Sequence, residues 1–465
     1  MAEVSEITYS QLEKRLDAEY HRPRYLEIEK LLKGIHDKRN LKLRILREIS
    51  TKIKTSAFYG SIALDYRKQG MPFLRVSDIR NLSIDTSDLV YLSDETSKQA
   101  KSIASLSTGD IIISKGGTLG HVAVIPEEIP KCKISRDIIG VSLTKEVEPE
   151  YVCVFLTTKY GSFQVERGRS QQVQPHLTLE RIGGVKILIP PSQFQKRIAK
   201  IVKEARVKRK LADELYKRAE KLLLKEFGIA KLELVKDKPC EIRFSEVKKY
   251  KRLDAEHYKP EYKQIIEILE NSDFELQPLK DSINISKKII DPTKKPDEMF
   301  TYIELANVNP STGEIEDYEK VIGYKAPSRA RMLLKRGDVL VPSLSGSLEN
   351  IAQVPEELDG SVGSTGFFVI SSNSFYSEFL FLLFKSDLIK KQLEQKTGGT
   401  IMTAVSHKDF ENILVPIIPK EKQIVTANFI KDSLKLRKES KELIQKAKQE
   451  VEQLIEQEAK YKSNL

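Results

Sequence analysis

The sequence has 465 residues, a formal net charge of +11, and 40% hydrophobic against 31% charged residues. Its length predicts roughly three structural units rather than one, and no apolar run approaches the roughly 18–20 residues a membrane span needs. The positive excess favours nucleic acid or an acidic membrane surface as a partner.

The opening MAEVSEITYS has neither a basic start nor an apolar stretch, so no secretory signal is read there. Cys132, Cys153 and Cys240 are scattered and form no C-x-x-C pair, which argues against a disulfide framework or zinc site and for a reducing cytosol. A cytoplasmic protein is expected.

In chain order, RLDAEYHRPRY occupies residues 15–25, and helical periodicity follows over 25–32. FLRVSDI (73–79) comes next. DIIISK, HVAVIP, VSLTKEV and GVKILIP then read as short strands bounded by Gly, Pro or Asp, with helical periodicity over 150–158. Pro190 and Pro191 introduce a long charged helix, with Ser192 and Gln195 at capping-box spacing and Gly228 as its stop.

The order then repeats. RLDAEHYKPEY (252–262) answers the first block, YIELANV (302–308) the second, and GDVLVPSLSGSLENIAQVPEEL from Gly337 answers GDIIISKGGTLGHVAVIPEEI from Gly109. Gln195 and Gln423 fall 228 positions apart, and each half closes with a long helix. This pattern is a tandem duplication. Between the first and second blocks the halves differ in length, as loops tolerate and scaffold strands do not. FLFLLF (379–384) reads as a buried strand or helix segment.

In the first long segment Ile198, Ile201, Ala205, Ala212, Leu215, Ala219 and Leu222 form one seam, interrupted at Lys208. In the second, Ala427, Ile430, Leu434, Ile444, Ala447, Val451 and Leu454 do likewise, interrupted at Arg437 and Lys441. Narrow stripes flanked by charge predict helices that pair with helices, and mutual antiparallel pairing is expected over separate docking.

The tools of an enzyme are missing. No G-x-x-x-x-G-K-[ST] loop, G-x-G-x-x-G, H-E-x-x-H or G-x-S-x-G is present, and NPST (309–312) lacks the aromatic residue of an adenine-methylating N-P-P-[YF] site. His176 is either packed or functional. The glycine-bearing loop SKGGTLG offers Ser114, Lys115, Gly116, Gly117 and Thr118, which suit a phosphate or form a plain tight hairpin. Its counterpart PSLSGSL offers Ser343, Ser345 and Ser347 without a lysine. In ERGRSQQVQPH, Arg167 and Arg169 could fork onto guanine and Gln171, Gln172 and Gln174 onto adenine, beside His176; a solvated polar loop is the alternative.

The order D-A-E-x-x-x-P-x-Y, L-R-x-S-D-I, G-D-I-I-I-S-K-x-G-T-x-G and I-P-P-x-x-x-Q-x-x-I before a long helix resembles the specificity subunit of type I restriction–modification enzymes. The resemblance implies an α+β chain with two tandem-repeated target-recognition domains, residues 1–189 and 234–417. Two long antiparallel helices, 190–233 and 418–465, would form a coiled-coil-like spacer. It implies binding of double-stranded DNA at a split site, with partner methyltransferase and restriction/translocase subunits supplying the S-adenosylmethionine, ATP and Mg chemistry, and no cofactor in this chain. Candidate DNA contacts then add Arg75 and Ser77 in the second block, Asn307 in its repeat, and Lys396 and Thr400 further on. Glu304 stands where the first half has its arginine. The alternatives are a fused N6-adenine methyltransferase, for which the two repeats leave no room, and a protein-only helix-pairing scaffold.

Overall fold

The strands follow from β-branched runs that must bury both faces. In residues 111–114, Ile111 and Ile113 enter one core and Ile112 a second, so the run is continuously apolar rather than alternating. In this computed structural model the described residues are 6–7, 17–35, 41–57, 66–80, 82–86, 88–99, 102–117, 119–168, 177–230, 232–235, 241–250, 252–397 and 404–463. They fold as α+β with two long helices, Ser192–Glu226 and Lys420–Ser463. The chain divides into two compact units: Met1–Arg209 with Lys438–Leu465, and Lys210–Arg437.

The first unit holds an antiparallel sheet in the order Val122–Val124, Ile111–Ser114, Ile138–Leu143, Ser50–Thr55. A second, five-stranded sheet contains one parallel pair, Met71–Leu74 beside Lys131–Ile134, with Phe73 opposite Lys133 and Leu74 opposite Ile134. A two-stranded ribbon joins Lys42–Ile45 to Lys186–Ile189. The helix Pro149–Thr157, buried from Glu150 to Leu156, packs into the cluster built on Ile111, Ile113 and Val141.

The second unit repeats this plan. Its parallel pair is Met299–Ile303 beside Val362–Ser364, with Tyr302 opposite Val362 and Ile303 opposite Gly363. Gly109 and Gly337, at φ +85° and +82°, form matching turns ahead of their strands. FLFLLF lies in a helix, Ser377–Lys385, buried from Phe379 onward, where Pro149–Thr157 sits in the first unit. Full burial on every side hides helical periodicity, which is why the segment was open between helix and strand.

Glutamines hold the repeated parts together. Gln195 Oε1 accepts from the Glu148 N–H at 3.0 Å and its Nε2 donates to the Pro190 carbonyl at 2.8 Å. Gln423 does the same with Tyr376 and Ile418. Gln164 exchanges two bonds with the Lys186 backbone, and Gln392 two with Leu414. The expected capping role of Gln195 is thereby corrected, because its amide is occupied by strand and loop backbone instead. Removing such a buried amide leaves backbone groups unsatisfied at about 1–3 kcal/mol.

The long helices pair antiparallel within each unit. In the first, Ser440 Oγ donates to the Ala205 carbonyl, Lys208 pairs with Glu439 at 2.6 Å and Arg197 with Glu450 at 3.1 Å. In the second, Ser433 Oγ donates to the Ala212 carbonyl and Lys422 pairs with Glu226. The buried seam differs from the expected one by single positions. Val202, Tyr216, Leu223 and Ile455 are buried where Ile201, Leu215, Leu222 and Leu454 are partly exposed. Arg437, read as an interruption, is 4% exposed and bonds Asp213 at 2.7 Å and Glu314 at 3.3 Å.

Candidate nucleic-acid interface

At the end of each parallel strand pair three loops meet. In the first unit Leu74 runs into a single turn of 3-10 helix, Val76–Asp78, whose first backbone N–H, from Arg75, donates to Asp78 Oδ2 at 2.8 Å. The glycine loop lies beside it: Gly117 has φ +67°, and a Cβ there would sit 3.7 Å from Val76 Cγ1. The third loop is the turn at 135–137, whose Asp137 carbonyl accepts from the Lys115 N–H and whose Ser135 N–H donates to Leu74. The Leu177 N–H returns to the Lys115 carbonyl.

The second unit builds the same cluster with other side chains. The Glu304 N–H donates to Asn307 Oδ1 at 2.7 Å, the Ser343 N–H to the Gly366 carbonyl, and the Val405 N–H to the Ser343 carbonyl. Each bond has its counterpart 228 or 229 positions earlier. Backbone bonds fix the frame, so the side chains on it are free to differ.

The candidate contacts fall into three groups. Ser114 and Arg167 turn inward. Ser114 is fully buried and its Oγ accepts from the His121 N–H, while Arg167, 11% exposed, donates to Glu29 and the Tyr20 carbonyl and stacks on the Tyr20 ring at 4.0 Å. These two are corrected from DNA contacts to packing residues, because their polar atoms are occupied inside the fold. Arg75, Ser77, Lys115, Gly116 and Gly117 come together in the first cluster, and Asn307, Ser343, Ser345 and Ser347 in the second. Asn307 Nδ2 donates to the Asp317 carbonyl and Ser343 Oγ to the Gly366 carbonyl, whereas Ser345 is exposed. Lys396 ends the helix Asp387–Lys396, on another element. Thr118, Arg169, Gln171, Gln172, Gln174, His176 and Thr400 lie outside the described residues, as does Cys240.

The clusters differ in electrostatics. Burial pulls the Lys115 ammonium below its ordinary value, although Asp137 opposes this and Arg136 adds to it. Arg75 is held charged by hydrogen bonds to Asp78 and by Asp88. The first unit thus gathers Arg75, Lys115 and Arg136 around three carboxylates, Asp78, Asp88 and Asp137. The second presents Glu304 and a row of hydroxyls. Sequence reading missed Asp78, Asp88 and Asp137, and only Asp78, three places after Arg75, carried a spacing signal. Among the described residues no group of three or more His, Cys, Asp or Glu is arranged to hold a metal ion, and no helix is long and apolar enough to cross a membrane.

Residues 39–215 match the model of the type I restriction modification DNA specificity domain. That span contains the whole first cluster. This segment is thus similar to the DNA specificity domain of type I restriction–modification enzymes. Across most of its length the chain is also similar to two type I restriction enzyme specificity subunits of Methanocaldococcus jannaschii. It is 24% identical over 404 residues to the MjaX specificity subunit (83% of this chain, 87% of the relative), and 24% over 418 residues to the MjaVIII specificity subunit (86% and 85%). A solved S subunit from M. genitalium aligns over 91% of this chain and 97% of its own, at 13% identity and a TM-score of 0.41.

Proposed function

We propose that this chain is a specificity subunit of a type I restriction–modification system, reading a two-part site in double-stranded DNA, one half through each three-loop cluster, without catalysing a reaction. Residues 1–189 and 234–417 serve as target-recognition domains. Residues 190–233 and 418–465 serve as spacer helices that set the distance between half-sites and dock methyltransferase subunits; restriction/translocase subunits join through that complex. S-adenosylmethionine, ATP and Mg act on those partners, in the cytoplasm.

One observation carries this reading: a single loop frame is built twice, bond for bond, while its outward side chains change from cationic to hydroxylic and acidic. Duplicate scaffolds with different surfaces fit two different half-sites. The test is selection of duplexes from a randomised library by the full chain at low salt. A split consensus is expected, with affinity falling steeply as salt rises. Equal binding to all sequences, or none, would overturn the reading in favour of a protein-only scaffold.

The same selection tests the spacer. Four residues inserted near Ala205, matched by four between Ser433 and Ser440, lengthen both helices by about 6 Å, roughly two base pairs. Both half-sites should persist with a spacer longer by one or two base pairs. The insertion must be paired because Ser440 and Ser433 are bonded to the opposite helix at Ala205 and Ala212.

A further inference from the structure

We propose that Arg75 reads a guanine edge through the outer side of its guanidinium, and that the Asp88 carboxylate stands in for the base until DNA displaces it. The proposal rests on the DNA-reading function above and assigns one residue of it.

Arg75 is held as a base-reading arginine needs to be. Its inner edge is bidentate on Asp78, with Nε at 3.3 Å from Oδ2 and Nη2 at 2.9 Å from Oδ1. Asp78 is itself buried and immobilised, since it also accepts the Arg75 N–H at 2.8 Å and the Ser77 hydroxyl at 3.1 Å. A guanidinium fixed on one edge presents its other edge in a set plane, the geometry that matches O6 and N7 of guanine.

That outer edge is only lightly covered. Nη1 has no acceptor among the described residues. Nη2 donates to the Asp88 carbonyl at 2.6 Å and to its carboxylate at 3.2 Å, and that side chain is 92% exposed. So exposed a carboxylate contributes little as an ion pair. It can leave while the carbonyl bond stays; the two N–H groups of Nη2 then remain on Asp78 and the Asp88 carbonyl, and the two N–H groups of Nη1 are the pair of donors the cleared side offers outward. The Asp88 carbonyl bond belongs to the frame, because in the second unit the Asp317 carbonyl, 229 positions on, accepts from Asn307 Nδ2. Asp317 is itself an aspartate, but Asn307 bonds its carbonyl, so the frame does not depend on the carboxylate contact. A phosphate would not require a fixed plane, so the base edge is the better match.

The library selection, run with Arg75→Ala, Arg75→Lys and Asp88→Ala in the full chain, tests this. The unaltered chain should enrich a guanine at one position of one half-site. Arg75→Ala and Arg75→Lys should each lose that preference by about ten-fold or more and leave the other positions intact, because lysine keeps the charge and loses the fork. Asp88→Ala, at an exposed position that does not threaten folding, should keep the guanine and bind DNA several-fold tighter. An unchanged consensus with Arg75→Lys, uniform weakening of every sequence with Arg75→Ala, or weaker binding with Asp88→Ala would each overturn the assignment. If the unaltered chain selects nothing, the DNA-reading function itself fails first, and this assignment falls with it.

Discussion

Residues 75–78 and 304–307 are the same turn carrying opposite chemistry. Both begin where a parallel strand ends, and both are closed by a side chain three positions on that accepts the first N–H. One offers a guanidinium braced by a carboxylate; the other offers an exposed carboxylate, Glu304, while the Asn307 amide bonds the Glu304 N–H and the Asp317 carbonyl. The same holds where the helices meet their globules. The first unit relies on apolar residues and on Arg206, which reaches Glu150 at 3.4 Å and the Leu82 carbonyl. The second buries Arg437 with Asp213 and Glu314. Duplication has kept the backbone bonds and let charge diverge, both on the reading surface and in the interior.

The largest expected effect tests the interior difference. Arg437→Ala removes a buried cation from two carboxylates and should destabilise the second unit by about 3 kcal/mol. Arg209→Ala, at the repeat-equivalent position, should cost well under half as much. Hydrogen exchange resolved by segment checks this, and equal losses would mean that the buried network has no special weight.

Next is Glu29, whose repeat-equivalent position in the second unit is the apolar Ile266. Burial alone would raise its carboxyl, but Lys186, Lys33 and Arg167 hold it well below the ordinary range. Because its folded value is depressed, its contribution is complete above the ordinary 4.5 and is lost as pH falls below that. Glu29→Gln should cost the first unit about 2 kcal/mol at pH 7 and progressively less on acidification. A cost that does not change with pH would assign Glu29 a packing role only.

The reading surfaces can be exchanged. Glu304→Arg with Asn307→Asp recreates the braced fork beside the Asp317 carbonyl, and should bring a guanine preference of about ten-fold to the second half-site. Library selection would show it, and an unchanged consensus would mean the two turns do not face DNA alike. The smallest effect is at the glycine loops. Lys115→Ala should weaken all sequences alike and lower the salt slope by about one, whereas Ser343→Ala should leave that slope unchanged.

Much of this plan was legible because repetition is visible without a structure. Matching blocks, long charged helices and glycine turns all lie within short windows. The helix seam was read one residue out at Leu215 and Leu222, since a 3.6-residue period cannot choose between Leu215 and Tyr216 when both are apolar. Buried Ser433, Arg437 and Ser440 were invisible for another reason: a polar residue reads as exposed until its partner on the opposite helix is known. Arg167 failed likewise. Its partner Glu29 is 138 residues away, and nothing near Arg167 announces it.

The two units also differ in how the chain reaches them. The second is one uninterrupted stretch, Lys210–Arg437, whereas the first is closed by Lys438–Leu465 from the far end of the sequence. During synthesis from the amino terminus, the unit begun first is therefore finished last. Its core lacks Ala447, Val451 and Ile455 until the final helix emerges. A ribosome that slips frame after residue 437 would deliver every residue of the second unit and leave the first open along the groove that those three side chains fill.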